Sequence, residues 1–144
     1  MSPELVTIER SVIIEADPET VFGFLIDANL MAEWFGISHV LDAKPGGTFR
    51  VEVGSGNIAI GVFTELSPPR RVAFTWGWES VSPTLSMLKP GSSTVEIDLE
   101  PHPRGTLLRL VHRGLPEGLV KIHGERWNHY LDQLTAVAQE RYQK

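Results

Sequence analysis

The chain has 144 residues, 42% of them hydrophobic, with four tryptophans and no cysteine. A chain of that length makes one domain, residues 1–144, that buries roughly 70% of its unfolded surface without needing a cross-link. The lack of cysteine excludes disulfides, thiolate zinc sites, cysteine nucleophiles and iron–sulfur clusters. Thirteen Lys and Arg against eighteen Asp and Glu give a formal net charge of −5, and the densest basic feature is the pair Arg70-Arg71, which argues against a nucleic-acid surface. Met1 to Arg10 carries Glu4, Glu9 and Arg10 and lacks the apolar centre of a signal peptide. No stretch approaches the ~20 apolar residues of a membrane span, so the chain reads as a soluble cytoplasmic protein.

In chain order, Leu5 to Glu15 is rich in β-branched residues and predicts a strand. Asp17-Pro18-Glu19 is a helix start: Asp17 can cap free N–H groups, Pro18 suits the first helical position, and Glu19 faces the positive end of the dipole. Val21, Phe22, Phe24 and Leu25 give this short helix an apolar face, and a second helical piece runs from about Asn29 to Trp34. After Gly46-Gly47 the period changes to two. Phe49, Val51 and Val53 alternate with polar residues, and beyond the turn Gly54-Ser55-Gly56-Asn57 so do Ile58, Ile60 and Val62. Pro68-Pro69 breaks that strand. Val72, Phe74, Trp76 and Trp78 then share one phase, followed by Val95, Ile97 and Leu99, and by Leu108, Leu110 and His112. One-sided alternation in consecutive strands predicts an antiparallel sheet with one face buried. The chain closes on a long helix from about Glu117 to Tyr142, with Val120, His123, Trp127, Tyr130, Leu131, Leu134 and Ala138 on one stripe. The order of strand, two short helices, about six strands and a long helix predicts a single α+β domain.

Several local patterns coincide in this order: Pro18-Glu19-Thr20-Val21-Phe22, Trp34-Phe35-Gly36, Gly46-Gly47-Thr48-Phe49, Phe74-Thr75-Trp76-Gly77-Trp78-Glu79, Leu110 to Pro116, and Gly124-Glu125-Arg126-Trp127. Together they resemble the small bacterial proteins akin to the C-terminal domain of the heat-shock-protein-ninety ATPase activator, in the START-like, birch-pollen-allergen-like (SRPBCC) superfamily. The resemblance spans nearly the whole chain. It implies the helix-grip fold, a curved antiparallel sheet wrapped around a long C-terminal helix, with a cavity often left between them. It brings no catalytic signature. The co-chaperones that gave the family its name carry a further N-terminal domain, for which 144 residues leave no room.

The residues themselves nominate few sites. Gly54-Ser55-Gly56-Asn57-Ile58-Ala59 matches a loose dinucleotide pattern, but a strand follows it where a helix is required, so it reads as a hairpin turn. His123 and His129 are six residues apart and cannot share a helix face, and no metal site or cofactor is expected. Ser86, Ser92 and Ser93 lie in a loop without a nucleophile elbow; Glu79 and Arg126 read as a solvated acid and a flanking base. No catalytic residue is nominated. His112 and His123 each sit on the apolar face of their element and could converge with Trp76, Trp78, Trp127 and Tyr130. They are either core histidines, bonded to backbone or to the Tyr130 hydroxyl, or the polar groups of a mostly apolar pocket. With Trp34, Phe49 and Phe74 they make the candidate ligand-binding set. An empty cavity of ~300 Å³ would cost roughly 7 kcal/mol at about 24 cal/mol per Å³, against a total stability of about 5–15 kcal/mol. A gap between sheet and helix is therefore either occupied or filled by the tryptophans. Ser80 to Ser93 is long for a hairpin connection and reads as a lid, a surface loop or an oligomer contact. The expected function is a module for a small hydrophobic or amphipathic ligand. The alternatives are a stress-response or co-chaperone-like module with a chaperone or other protein partner, and a polyketide-cyclase or aromatase-like enzyme.

Overall fold

The computed structural model describes residues 5–143; residues 1–4, which the reading of the N-terminus includes, and Lys144 lie outside the described residues. Strand β1 (Leu5–Ile14) is followed by α1 (Pro18–Ile26) and α2 (Ala28–Met31). Asp17 caps α1 as its position predicts, accepting the Thr20 N–H at 2.9 Å. Asp27 closes α1 by donating its N–H to the Gly23 carbonyl and opens α2 by accepting from the Asn29 and Leu30 N–H groups. One aspartate thus sets the corner between the two helices, satisfying donors that a helix start leaves unpaired.

The remaining strands are β2 (Ser38–Leu41), β3 (Thr48–Gly54), β4 (Asn57–Ser67), β5 (Arg71–Ser80), β6 (Ser93–His102) and β7 (Gly105–Pro116). They form one antiparallel sheet in the order β1-β7-β6-β5-β4-β3-β2. The long helix α3 (Val120–Gln143), entered through a 3-10 turn at Glu117–Leu119, lies on the inner face. Its buried residues His123, Trp127, Leu131, Leu134 and Ala138 recur every three or four positions, which keeps them on one side of a helix. This is the α+β helix-grip arrangement, a curved sheet closed around a single helix. No helix among the described residues is long and apolar enough to cross a membrane.

Two details depart from the sequence pattern. β2 was not anticipated: its four residues carry no alternation and are ordered by pairing with β3, from Ser38 opposite Glu52 to Leu41 opposite Phe49. In β4 the buried phase is Ala59 and Phe63, while Val62 is 43% exposed and Ile58 and Ile60 are half-buried. The phase is set by Phe63, whose ring meets Phe49 at 5.8 Å and Phe74 at 6.0 Å. An aromatic ring buries 150–250 Å² in such a place, and its neighbours Ala59 and Gly61 are small enough to leave it room.

The outer face of the sheet carries a charge network across β4, β5, β6 and β7. Arg71 meets Glu65 at 3.0 Å, Asp98 at 2.8 Å and Glu96 at 3.3 Å, and Arg113 meets Glu96 at 2.9 Å. Burial pushes the Glu96 carboxyl up, but hydrogen bonds from Arg113 and Arg71 outweigh it and hold the group below its ordinary value.

The connection from β5 to β6 is a folded strap. Trp78 N–H donates to the Leu88 carbonyl at 2.8 Å, Ser82 N–H donates to Ser80 Oγ at 2.9 Å, and Leu85 and Leu88 are each 2% exposed within the core. The strap crosses the outer side of β5 directly over Gly77, where a Cβ would collide with the Lys89 carbonyl. Gly77→Ala therefore forces the strap off the sheet. We expect it to lose about 1–3 kcal/mol in chemical denaturation and to speed proteolytic cleavage within residues 81–92.

Candidate functional site

Trp76 and Trp78 project inward from β5 because their strand phase is the buried one, and His112 does so from β7. Opposite them, His123, Trp127 and Tyr130 come from the first half of α3, four and three residues apart. The rings interlock. Trp76 meets Trp78 at 5.3 Å, Trp127 at 5.4 Å and His112 at 5.5 Å between centroids, and the two histidine rings are 5.5 Å apart. Phe49 and Phe74 stack at 4.1 Å one layer further along the sheet, with Phe49 6.0 Å from Trp76. Trp34 stands aside: its indole N–H donates to the Phe24 carbonyl at 2.9 Å, which ties the turn after α2 to α1. Its neighbour Phe35 enters the cluster instead, stacked 6.0 Å from Trp76 and edge-on to Tyr130 at 4.7 Å.

Hydrogen bonds then fix the state of both histidines. Trp127 N–H donates to His112 Nδ1 at 3.1 Å, and His112 Nε2 lies 2.9 Å from Ser93 Oγ. Ser93 in turn donates to the Trp76 carbonyl at 2.8 Å. An indole is a donor only, so Nδ1 is the acceptor and the proton of His112 sits on Nε2, pointing at Ser93. By the same logic Trp78 N–H donates to His123 Nε2 at 3.0 Å, leaving Nδ1–H to donate to the Leu119 carbonyl at 2.8 Å. Both rings are neutral. Burial, with His123 beside it, pushes His112 down to about 3. Burial also lowers His123, which the Leu119 carbonyl only partly opposes and the nearby Arg126 charge reinforces.

This settles what the buried polar groups can do chemically. Ser93 and His112 have the spacing of a nucleophile and its base. Yet His112 already carries its proton on the nitrogen facing Ser93, and its other nitrogen is used by Trp127. The pair cannot withdraw a proton from the serine. Glu79 is exposed on the outer phase of β5. Of the remaining histidines, His39 bonds the Phe35 carbonyl, His102 accepts the Arg104 N–H, and His129 pairs with Gln133. Among the described residues, no group of three or more His, Asp or Glu is placed to hold a metal ion.

The gap between sheet and helix is filled, not hollow. What remains is a cleft of about 10 Å³ lined by Trp76, Trp78, His123, Arg126, Trp127 and Tyr130, the room of a single water molecule. Larger hollows of about 460 Å³ along Glu9–Ser11 and about 630 Å³ beside Glu15–Asp17 are open surface grooves bordered by charged side chains. No residue of the strap is among those lining the aromatic cleft. Three of the four indoles have acceptors; the fourth, Trp76, is 3% exposed, and its N–H is the one buried side-chain polar atom without a partner among the described residues. Sequence reasoning missed Ser93, which shares the inward phase of Val95, Ile97 and Leu99, and Phe35, which lies in a turn with no periodicity to reveal it.

The neutral histidines give the fold a pH dependence. Unfolded histidine binds a proton near 6.5, whereas folded His112 does so only near 3. Below pH 6.5 the unfolded state therefore binds more protons, and stability falls as pH falls, by up to about 1.4 kcal/mol per unit for this residue. Denaturation curves at pH 6.5 and 5 should show the unsubstituted protein losing about 1–2 kcal/mol more than His112→Gln, which keeps an acceptor and a donor but does not titrate.

Comparison with known proteins places this geometry in context. Residues 15–139 match the family model of activator of Hsp90 ATPase homolog 1-like proteins (AHSA1). The solution structure of an AHSA1-like protein from Rhizobium etli is 38% identical, covers 95% of this chain and 84% of its own, and superposes with a TM-score of 0.75. The Aha1 dimer from Colwellia psychrerythraea (19% identity, 93% and 96% coverage, TM-score 0.77) and a Mesorhizobium loti protein (21%, 96% and 98%, TM-score 0.77) share the fold. A search of curated proteins gave no match. With β2 to β7, most of α3 and the whole aromatic cluster inside the matched span, the chain belongs to the activator of Hsp90 ATPase homolog 1-like family.

Proposed function

We propose that the protein is a small-ligand-binding module, and that an apolar molecule enters between Trp76, Trp78, Trp127 and Tyr130 by opening the closed cleft. The observation that carries this reading is the unpartnered indole N–H of Trp76. A buried donor left unsatisfied costs about 1–3 kcal/mol, and every neighbouring indole avoids that cost. An acceptor atom on a ligand would remove it. The closed state is what a ligand-free domain should adopt, because a dry cavity large enough for such a molecule would cost much of the fold's stability. Among the residues lining the cleft, Arg126 and Tyr130 are only half-buried, so they are the side chains that can swing aside. His112 and His123, with Phe49 and Phe74 behind them, then serve as the rigid back wall, and Trp34 braces the arm that carries Phe35.

The cyclase-type reading draws on fold alone: a protein of the dynemicin biosynthetic locus superposes with a TM-score of 0.73 at 22% identity. It would need an acid–base pair, and the two buried histidines are neutral with all four nitrogens engaged. The chaperone-partner reading rests on the family's description, and no feature of the cleft favours it.

The proposal is tested with 2-naphthol, a two-ring body bearing one acceptor. Titration into protein carrying ¹⁵N-labelled tryptophan should shift the Trp76 indole resonance and leave that of Trp34 in place, while the melting temperature rises with ligand concentration. Trp76→Phe should weaken binding about five- to tenfold. A Trp76 resonance that stays fixed at millimolar 2-naphthol would count against the proposal.

A further inference from the structure

We propose that the ligand carries a carboxylic acid, and that Arg126 at the mouth of the cleft selects for it; this rests on the reading of the cleft as a ligand site. Arg126 is the only formally charged side chain among those lining the cleft. It is half-buried. Among the described residues Arg71, Arg104, Arg113 and Arg141 each meet a carboxylate, whereas no hydrogen bond or ion pair engages the guanidinium of Arg126, nor those of Arg50, Arg70 and Arg109; of these four only Arg126 lines the cleft.

The helix explains why. Side chains three or four residues away are the ones a helical arginine can reach, and for Arg126 these are Ile122, His123, His129 and Tyr130, none of them acidic. Glu125 is adjacent in sequence, exposed, and turned about 100° around the axis. On the facing arm Glu33 is taken by Arg141 at 3.2 Å. The guanidinium offers a planar fork of donors that matches a carboxylate with two parallel hydrogen bonds. Beside it the wall is aromatic and His123 is neutral, so a pair formed there is screened less than one on open surface.

The residues lining the cleft therefore include two whose donors have no acceptor, the buried Trp76 with its indole N–H and the half-buried Arg126 with its guanidinium, among apolar rings. The complementary molecule is a flat apolar body with a hydrogen-bond acceptor at one end and a carboxylate at the other, an aromatic or polycyclic acid.

A matched pair of probes separates the claims: 6-hydroxy-2-naphthoate and its neutral analogue 6-hydroxy-2-naphthamide, titrated by fluorescence against the unsubstituted protein, Arg126→Gln and Trp76→Phe. The acid should bind about tenfold more tightly than the amide. Arg126→Gln should abolish that preference, leaving acid and amide with equal affinity, while the ligand-free melting temperature stays nearly unchanged. Trp76→Phe should weaken acid and amide alike. Raising the salt concentration should narrow the preference. Equal affinity for acid and amide, or a preference that survives Arg126→Gln, would overturn the acid assignment and leave the ligand-binding reading standing. Binding of neither probe would overturn both.

Discussion

Two hydrogen bonds join the long helix to the sheet through the middle of the core: Trp127 N–H to His112 Nδ1 and Trp78 N–H to His123 Nε2. Each runs between elements, one from helix to strand and the other from strand to helix. Each buries an imidazole that must stay neutral to accept it, since protonation would set two donors against one another and leave an indole unsatisfied. The remaining nitrogens are closed off by Ser93 and the Leu119 carbonyl. The helix is thereby held in one rotation and one axial position on the sheet, and the aromatic rings pack around that alignment. Buried polar groups that are fully satisfied specify an arrangement more sharply than apolar packing does.

The same constraint shapes what the interior can offer. With both histidines consumed in alignment, none is left for proton transfer, and the Ser93–His112 contact is a structural relay to the Trp76 carbonyl. Trp76 sits at the centre of the ring cluster, and among the described residues its indole is the one left without an acceptor. Its position between a satisfied back wall and the half-buried pair Arg126 and Tyr130 makes the cleft asymmetric: buried and hydrogen-bonded on the sheet side, half-buried at the edge. The proposed ligand site relies on that asymmetry: packing favours the closed form, and a ligand that satisfied the spare donors would favour an open one.

Much of this was legible in the sequence because it rests on periodicity. The phase of Val72, Phe74, Trp76 and Trp78, the stripe from His123 to Ala138 and the Asp17-Pro18 helix start each follow from local rules, and with the element order they predict an α+β domain, which the family resemblance narrows to the helix-grip fold. The convergence of His112 and His123 was legible too, since each lies on the buried face of its element. Their partners were not, because a donor from another element has no sequence signature. The β4 phase was obscured by three aliphatics on its outer side, and one phenylalanine meeting two others across the sheet outweighed them. Of the adjacent pair Trp34 and Phe35, only three dimensions show which turns toward the cleft. Arg126, a flanking helix base by sequence, stands in the structure among the residues that line the cleft.

The claim on which the rest stands is that both buried histidines are neutral, in opposite tautomers, and locked by tryptophan donors. Long-range ¹H–¹⁵N correlation of the histidine side chains reads this directly. The proton of His112 should sit on Nε2 and that of His123 on Nδ1 at pH 7, with the His112 pattern unchanged at pH 5. A protonated His112 at pH 5, or either histidine in the other tautomer at pH 7, would contradict this.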